Sequence, residues 1–171
     1  MTSISRIHHL LEQQAAHAPD AVALTTAQTG DITFADWLRA SRDLATDLQK
    51  AGVRPGHRMM LVAENSFAAA AGLIAASLLD AWSIPVNARL SAQEISRIRD
   101  HAQPAATLYT HTVSDSALAH AQAAGAHDIN TGPEPAMLSV QPETVAEPVS
   151  QDASQVATLL YTTGTTGDPK G

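Results

Sequence analysis

The sequence VATLLYTTGTTGDPKG, residues 156–171, joins a short apolar run to a loop rich in glycine and threonine. The run at 156–161 carries Val, Leu and Tyr and stops at turn-forming residues, which predicts a short buried β-strand. A loop that contains Lys170 follows this strand. Ligands of open α/β sheets bind at the carboxyl ends of the strands, where such a loop begins. The stretch therefore predicts both a fold class and a binding site.

Each residue type in the loop has a use if the ligand is a phosphate chain. Glycine lacks a Cβ, so its backbone reaches positive φ and brings several N–H groups close to one anion. Threonine hydroxyls add hydrogen-bond donors, and lysine adds a mobile positive charge on a long stem. Asp168 would repel phosphate and is expected to face solvent. The candidate phosphate-binding residues are Thr162, Thr163, Gly164, Thr165, Thr166, Gly167 and Lys170.

The order of residues in the loop differs from that of the common P-loop. A Walker A loop needs GxxxxGK followed by Ser or Thr, whereas Pro169 precedes Lys170 and Gly171 follows it. Residues 161–171, YTTGTTGDPKG, resemble the loop Y-T-S-G-T-T-G-x-P-K-G of the adenylate-forming enzymes, which include acyl- and aryl-CoA synthetases and the adenylation domains of peptide synthetases. Thr163 stands where serine is commoner and keeps the hydroxyl. The alternative for this composition is a flexible, solvated linker.

The composition limits the class of protein. The chain has 171 residues, enough for one domain with a substantial core, and a formal net charge of −7. This acidic balance, without any Lys/Arg block, argues against nucleic acid as a partner, and the absence of cysteine excludes disulfides and thiolate chemistry. The apolar run at 67–79 is too short to span a bilayer, and the amino terminus lacks a signal-peptide pattern. We expect a cytoplasmic protein with a small-molecule ligand, and the oligomeric state stays open.

Predicted strands and helices alternate up to residue 130. Apolar runs predict strands that begin at residues 58, 82, 105 and 127, with helical patterns between them. This alternation predicts βαβ crossovers and an α/β fold with a mostly parallel sheet and flanking helices. A helix ending before Pro19, a strand pair around Gly30 and a helix capped by Thr33 precede it. We expect an α/β subdomain at 1–130, a proline-rich surface connection at 131–155, and the strand with its phosphate-binding loop at 156–171.

Three further stretches resemble the adenylate-forming family, in the same order along the chain. They are ITFADWLR at 32–39, GHRMMLVAENS at 56–66 and IPVNARLS at 84–91. The family usually has Gly-Ala after its buried helix, whereas this chain has Asp80 and Ala81, so we expect slight strain at a left-handed cap there. Residues 87–94 are closer to acyl- and aryl-CoA ligases than to the adenylation domains of peptide synthetases, which more often have D-P-x-Y-P there.

The resemblance implies the first subdomain of the amino-terminal domain of an adenylate-forming enzyme. The implied reaction is attack of a small carboxylic acid on the α-phosphate of Mg-ATP, followed by transfer of the acyl group to a thiol such as CoA. ATP, Mg²⁺ and CoA are therefore the implied cofactors and co-substrates. Residues 162–167 would hold the β- and γ-phosphates, and Lys170 would order the loop and neutralise charge.

In the adenylate-forming family that this chain resembles, the adenylation lysine and the acidic residues that bind Mg²⁺ and ribose all follow the phosphate-binding loop. We therefore name no catalytic residue and no metal ligand, and we expect an amino-terminal fragment of an acid-thiol ligase that is inactive alone. An adenylation domain of a peptide synthetase and a non-catalytic nucleotide- or partner-binding module stay open as alternatives. The carboxylic acid and the acceptor, CoA or a carrier protein, stay open as well.

The adjacent His8 and His9 are expected to point to different sides of the first helix and to bind no metal.

Overall fold

The computed structural model describes residues 4–142 and 144–161. Within them the elements are α1 Ile7–His17, β1 Val22–Thr26, β2 Gly30–Thr33, α2 Phe34–Lys50, β3 Arg58–Ala63, α3 Phe67–Leu78, β4 Trp82–Asn87, α4 Ala92–Ala102, β5 Ala106–Tyr109, α5 Asp115–Ala123, β6 His127–Ile129 and β7 Ala136–Val140. β1 and β2 pair antiparallel, so the predicted hairpin is confirmed. The predicted cap of α2 is confirmed, because the Thr33 hydroxyl accepts from the Asp36 N–H at 3.1 Å.

The main sheet has the strand order β4-β3-β5-β7-β6 within the described residues. β3 lies between β4 and β5 and pairs in parallel with both. β7 runs antiparallel to β5 and to β6. β3, β4, β5 and β6 therefore point the same way, and the predicted α/β fold with a mainly parallel sheet and flanking helices is confirmed.

β3 is apolar on both faces because helices cover both faces of the sheet at this point. Met59 and Leu61 pack in the core shared with α2 and α3, whereas Met60 and Val62 pack in the core shared with α4 and α5. These four side chains are at most 2% exposed. A near-continuous apolar strand is the pattern expected of a parallel strand buried on both faces.

Part of the predicted surface connection at 131–155 is a strand. β7, Ala136–Val140, lies inside the main sheet and separates β6 from β5, so the prediction of an extended connection is wrong here. Ala136 and Leu138 are fully buried because β7 is paired on both sides and turns one face to the core. The prolines that suggested a loop flank the strand at positions Pro133, Pro135, Pro142 and Pro148. The predicted division of the chain at residues 130 and 155 stays a prediction.

The segment at 156–161 lies at the edge of the main sheet, next to β4. A parallel bridge joins Thr158 to Ser83, and the Leu159 N–H donates to the Ser83 carbonyl at 2.8 Å. Leu160 is 65% exposed. The prediction of a buried strand is wrong in its burial and extent, because the described chain pairs with this segment on one side only.

A glycine turn anchors the chain that leads to this edge. Gly56 has a φ of 79°, and its carbonyl accepts from the Glu147 N–H at 2.9 Å. A Cβ at Gly56 would overlap the Glu147 carbonyl oxygen, so the close approach requires glycine. The Glu147 carboxylate also pairs with the Arg58 guanidinium at the start of β3. These contacts thus hold Glu147 at the start of β3, before the chain reaches the edge of the sheet.

Candidate functional site

Polar residues follow the carboxyl ends of β3 and β4. Glu64, Asn65 and Ser66 follow β3, while Asn87 ends β4 and Arg89 follows it. The last residues of the two strands are paired in register, so the two loops begin side by side. Ligands of open α/β sheets bind at this end of the strands, and we take it as the candidate site.

An ion pair joins the two loops at this end of the sheet. The Arg89 guanidinium donates to both oxygens of Glu64, at 3.2 Å and 2.8 Å. Ser114, the cap of α5, donates its hydroxyl to Glu64 Oε1 at 3.0 Å. The hydrogen bonds from Arg89 and Ser114 lower the pKa of the Glu64 carboxyl. Glu64 is therefore ionised near pH 7 and links the ends of β3 and β4 with the start of α5.

A cleft of about 990 Å³ opens beside this ion pair. Its walls come from β1 and the loop after it, the ends of β3 and β4, and the first turns of α3. Its polar lining includes Thr25, Thr26, Gln28, Asn65, Ser66 and Arg89. Hydroxyl, amide and guanidinium groups can bind a polar ligand or a polar protein surface, and this lining offers no thiol for nucleophilic chemistry.

The first turn of α3 is capped by protein side chains. Ser66 Oγ accepts from the Ala69 N–H at 3.1 Å, and Glu134 Oε2 accepts from the Ala68 N–H at 2.9 Å. Glu134 is 2% exposed, and its Oε1 has no hydrogen-bond partner among the described residues. A carboxylate at a helix amino terminus satisfies the free N–H groups and the helix dipole. This helix end is therefore not available to a phosphate.

Sequence reasoning did not single out Glu134, Glu64 or Arg89 as residues of this edge. Glu134 lies between two prolines in a stretch that was predicted to be a surface loop. Glu134 contacts Ala68, which is 66 positions away, and no local sequence pattern shows such a contact. Glu64 directly follows β3 and Arg89 follows β4 by two residues, and position at the carboxyl end of a strand is the signal that can identify them.

The predicted phosphate-binding residues lie outside the described residues. These are Thr162, Thr163, Gly164, Thr165, Thr166, Gly167 and Lys170. The described chain stops one residue before them, at Tyr161, whose hydroxyl lies 2.6 Å from His101 Nδ1. Burial raises the pKa of the Tyr161 phenol. Tyr161 packs against the core on the α4 and α5 side of the sheet, and this contact fixes the point from which the loop departs.

Among residues 4–142 and 144–161, no helix is both long and apolar enough to cross a membrane.

The fold corresponds to the amino-terminal portion of an adenylate-forming enzyme, and the chain belongs to the AMP-binding enzyme family, whose model matches residues 11–171. Feruloyl-CoA synthase of Amycolatopsis sp is 33% identical over 161 residues, which cover 93% of this chain and 31% of that protein. The nonribosomal peptide synthetase ivoA of Emericella nidulans is 27% identical over 167 residues, which cover 96% of this chain and 9% of that protein. The inhibitor-bound N-terminal domain of FACL13 from Mycobacterium tuberculosis superimposes with a TM-score of 0.74 at 24% identity, covering 98% of this chain and 44% of that chain.

These matches confirm the predicted superfamily and its fold. At 24% identity the FACL13 domain is similar in fold alone. The chain spans 31% of the length of feruloyl-CoA synthase and 9% of the length of ivoA. These matches therefore do not establish the activity of the whole protein. Both kinds of relative match more than nine-tenths of the chain, so they identify the superfamily and not the thiol acceptor.

Proposed function

We propose that the chain is the amino-terminal portion of an ATP-dependent carboxylate-CoA ligase. Such an enzyme activates an acyl or aryl acid as its adenylate and transfers the acyl group to CoA. The observation that carries the proposal is the 33% identity to feruloyl-CoA synthase over 93% of the chain. The run NARLSAQE at 87–94 supports it, because it resembles the corresponding run of acyl- and aryl-CoA ligases.

In this function the loop at 162–171 binds the phosphates of ATP. Its backbone N–H groups and threonine hydroxyls bind the β- and γ-phosphates, and Lys170 neutralises part of their charge. The carboxylate of the acid attacks the α-phosphorus, the bond to the bridging oxygen breaks, and pyrophosphate leaves with that electron pair. The CoA thiolate then attacks the acyl carbonyl, and AMP leaves. Mg²⁺ accompanies ATP, and the remainder of a longer protein supplies the other catalytic groups.

An adenylation domain of a peptide synthetase is the second candidate. The match to ivoA, which covers 96% of the chain, favours it. The first half-reaction is the same in both candidates, so the acid and the acceptor distinguish them. An adenylation domain would activate an amino acid and transfer it to the phosphopantetheine of a carrier protein.

Exchange of pyrophosphate into ATP tests both candidates on the protein as its source produces it. We expect exchange that depends on an aryl or fatty acid, followed by formation of a thioester with CoA. Exchange with amino acids, with transfer to a loaded carrier protein alone, would replace the first candidate by the second. No exchange with any aryl acid, fatty acid or amino acid would overturn both.

The role of the loop is tested in the same assay with the lysines of this chain, Lys50 and Lys170. We expect Lys170→Ala to lower pyrophosphate exchange about 10²-fold, because a charge on the phosphates is lost. Lys50→Ala is the matched control, since Lys50 lies at the end of α2 and pairs at the surface with Asp47 at 2.8 Å. Equal activity of the two variants would contradict the assignment of Lys170.

A further inference from the structure

The first turns of α1 bring two imidazoles and a carboxylate together. His8, His9 and Glu12 are all half-buried, and one ligand atom from each lies within 4.8 Å of the other two. Glu12 follows His8 by four residues and His9 by three, which are the spacings that make helical side chains neighbours. The ring centroids of the histidines are 4.5 Å apart in an edge-to-face arrangement. The prediction that these rings point to different sides of the helix is therefore wrong.

The neighbouring helix orients the first of these ligands. His8 Nδ1 lies 2.9 Å from the hydroxyl of Ser77 on α3, and the His8 N–H donates to the same oxygen at 3.3 Å. This contact occupies Nδ1 and leaves Nε2 as the nitrogen open to a ligand. Metal-binding histidines are commonly held in this way by a hydrogen bond to the other ring nitrogen.

The contacts of His9 and Glu12 are weak enough to rearrange. His9 Nδ1 accepts from the Ser5 N–H at 3.3 Å, a long hydrogen bond. Glu12 Oε1 accepts from the Arg42 guanidinium at 2.7 Å, and the two side chains are 35% and 57% exposed. Exposed ion pairs of this kind contribute little to stability. The nearby Asp80 carboxylate, paired with Arg6, adds negative charge beside His8.

We propose that His8, His9 and Glu12 bind one divalent transition-metal ion of the Zn²⁺ class. Imidazole and carboxylate are ligands that Zn²⁺ takes in proteins, and water completes the coordination of a three-ligand site. Tetrahedral Zn²⁺ places its ligand atoms about 3.4 Å apart. The three ligand atoms lie within 4.8 Å of one another, so each pair has to approach by at most about 1.4 Å to share one ion.

Titration calorimetry with Zn²⁺ on the full chain, made without a histidine tag and stripped with a chelator, tests the site. We expect one equivalent to bind, and His9→Gln and Glu12→Gln each to weaken binding at least about tenfold. His17→Gln is the matched control, because His17 lies in the last turn of the same helix, outside the group. It is expected to bind Zn²⁺ as tightly as the unchanged chain.

Imidazole signals in a long-range ¹H–¹⁵N spectrum give a second measurement that does not depend on variants. Zn²⁺ is expected to shift the signals of His8 and His9 and to leave that of His17 in place. Equal shifts at all histidines, or a loss of affinity in His17→Gln equal to that in His9→Gln, would overturn the proposal. Circular dichroism of each variant separates loss of a ligand from loss of the helix, and Glu12→Gln retains both histidines if His9→Gln fails to fold.

Discussion

β3 and the segment at 156–161 have similar apolar sequences, RMMLVA and VATLLY, and opposite environments. β3 is paired on both sides and covered on both faces, and its central side chains are fully buried. The segment at 156–161 has one parallel bridge to β4, and Leu160 faces solvent. The comparison shows that an apolar run predicts extended backbone, while burial depends on what the rest of the fold places on each side.

The largest expected effect compares one leucine from each region. Leu61→Ala in β3 is expected to lower the free energy of unfolding by about 2–5 kcal/mol, because it opens a cavity between the sheet and α3. Leu160→Ala removes a mostly exposed side chain and is expected to change the free energy of unfolding by less than about 0.5 kcal/mol. Urea denaturation of both variants measures the difference. Similar losses in the two variants would mean that the edge segment is buried in solution.

A smaller effect is expected at the contact that holds the edge segment. Ser83 Oγ donates to the Ala157 carbonyl at 3.0 Å and lies 2.8 Å from Thr158 Oγ1. Ser83→Ala is expected to lower the free energy of unfolding by about 1 kcal/mol and to speed hydrogen exchange of the Leu159 amide. Thr158→Val removes the side-chain contact from the other partner, so a double-mutant cycle isolates the pair. Unchanged exchange at Leu159 in Ser83→Ala would show that these side-chain contacts do not hold the segment.

The smallest expected effect concerns Glu64, which directly follows the buried strand β3. The folded pKa of Glu64 is lowered, so ionised Glu64 contributes stability above the ordinary glutamate pKa, and this contribution is lost as pH falls through the lowered value. Arg89→Gln is expected to raise the pKa of Glu64 towards its ordinary range, with little change in stability because the pair is exposed. Carboxyl ¹³C titration measures the shift.

The matched control for this titration is Arg39→Gln. Arg39 pairs with Asp36 in the first turn of α2, away from the carboxyl end of β3. Loss of this partner is expected to raise the lowered pKa of Asp36 and to leave the Glu64 titration unchanged. A Glu64 titration that is the same with and without Arg89 would contradict the ion pair between the two loops.

Much of the fold could be predicted because its signals are local. Thr33 caps α2, Ser91 and Glu94 form the capping box of α4, and Asp80 takes the left-handed conformation after α3 with a φ of 53°. β7 could not be found in this way, because its five residues stand among prolines and gain their burial from β5 and β6. Pairing between strands distant in sequence leaves little trace in the composition of either strand.

The candidate site divides in the same manner. The phosphate-binding loop is predicted from a contiguous pattern, and it stays a prediction because its residues lie outside the described part of the chain. The cleft and the pair formed by Glu64 and Arg89 arise because parallel strands bring two loops to one edge. The sequence shows His8 and His9 as neighbours, and Glu12 lies beside them because residues three and four apart share one face of a helix.

By itself, the sequence determined the superfamily, the α/β alternation and the helix caps, and it predicts a phosphate-binding loop at 162–171. Each of these follows from residues close together in the chain, where hydrogen-bonding capacity, φ preference and hydrophobic periodicity act locally. Only the tertiary structure decided which apolar runs are buried, where β7 pairs, and which polar side chains meet at the end of β3. Those outcomes depend on contacts between distant segments, and they are fixed by the order of strands in the sheet and by the helices that cover it.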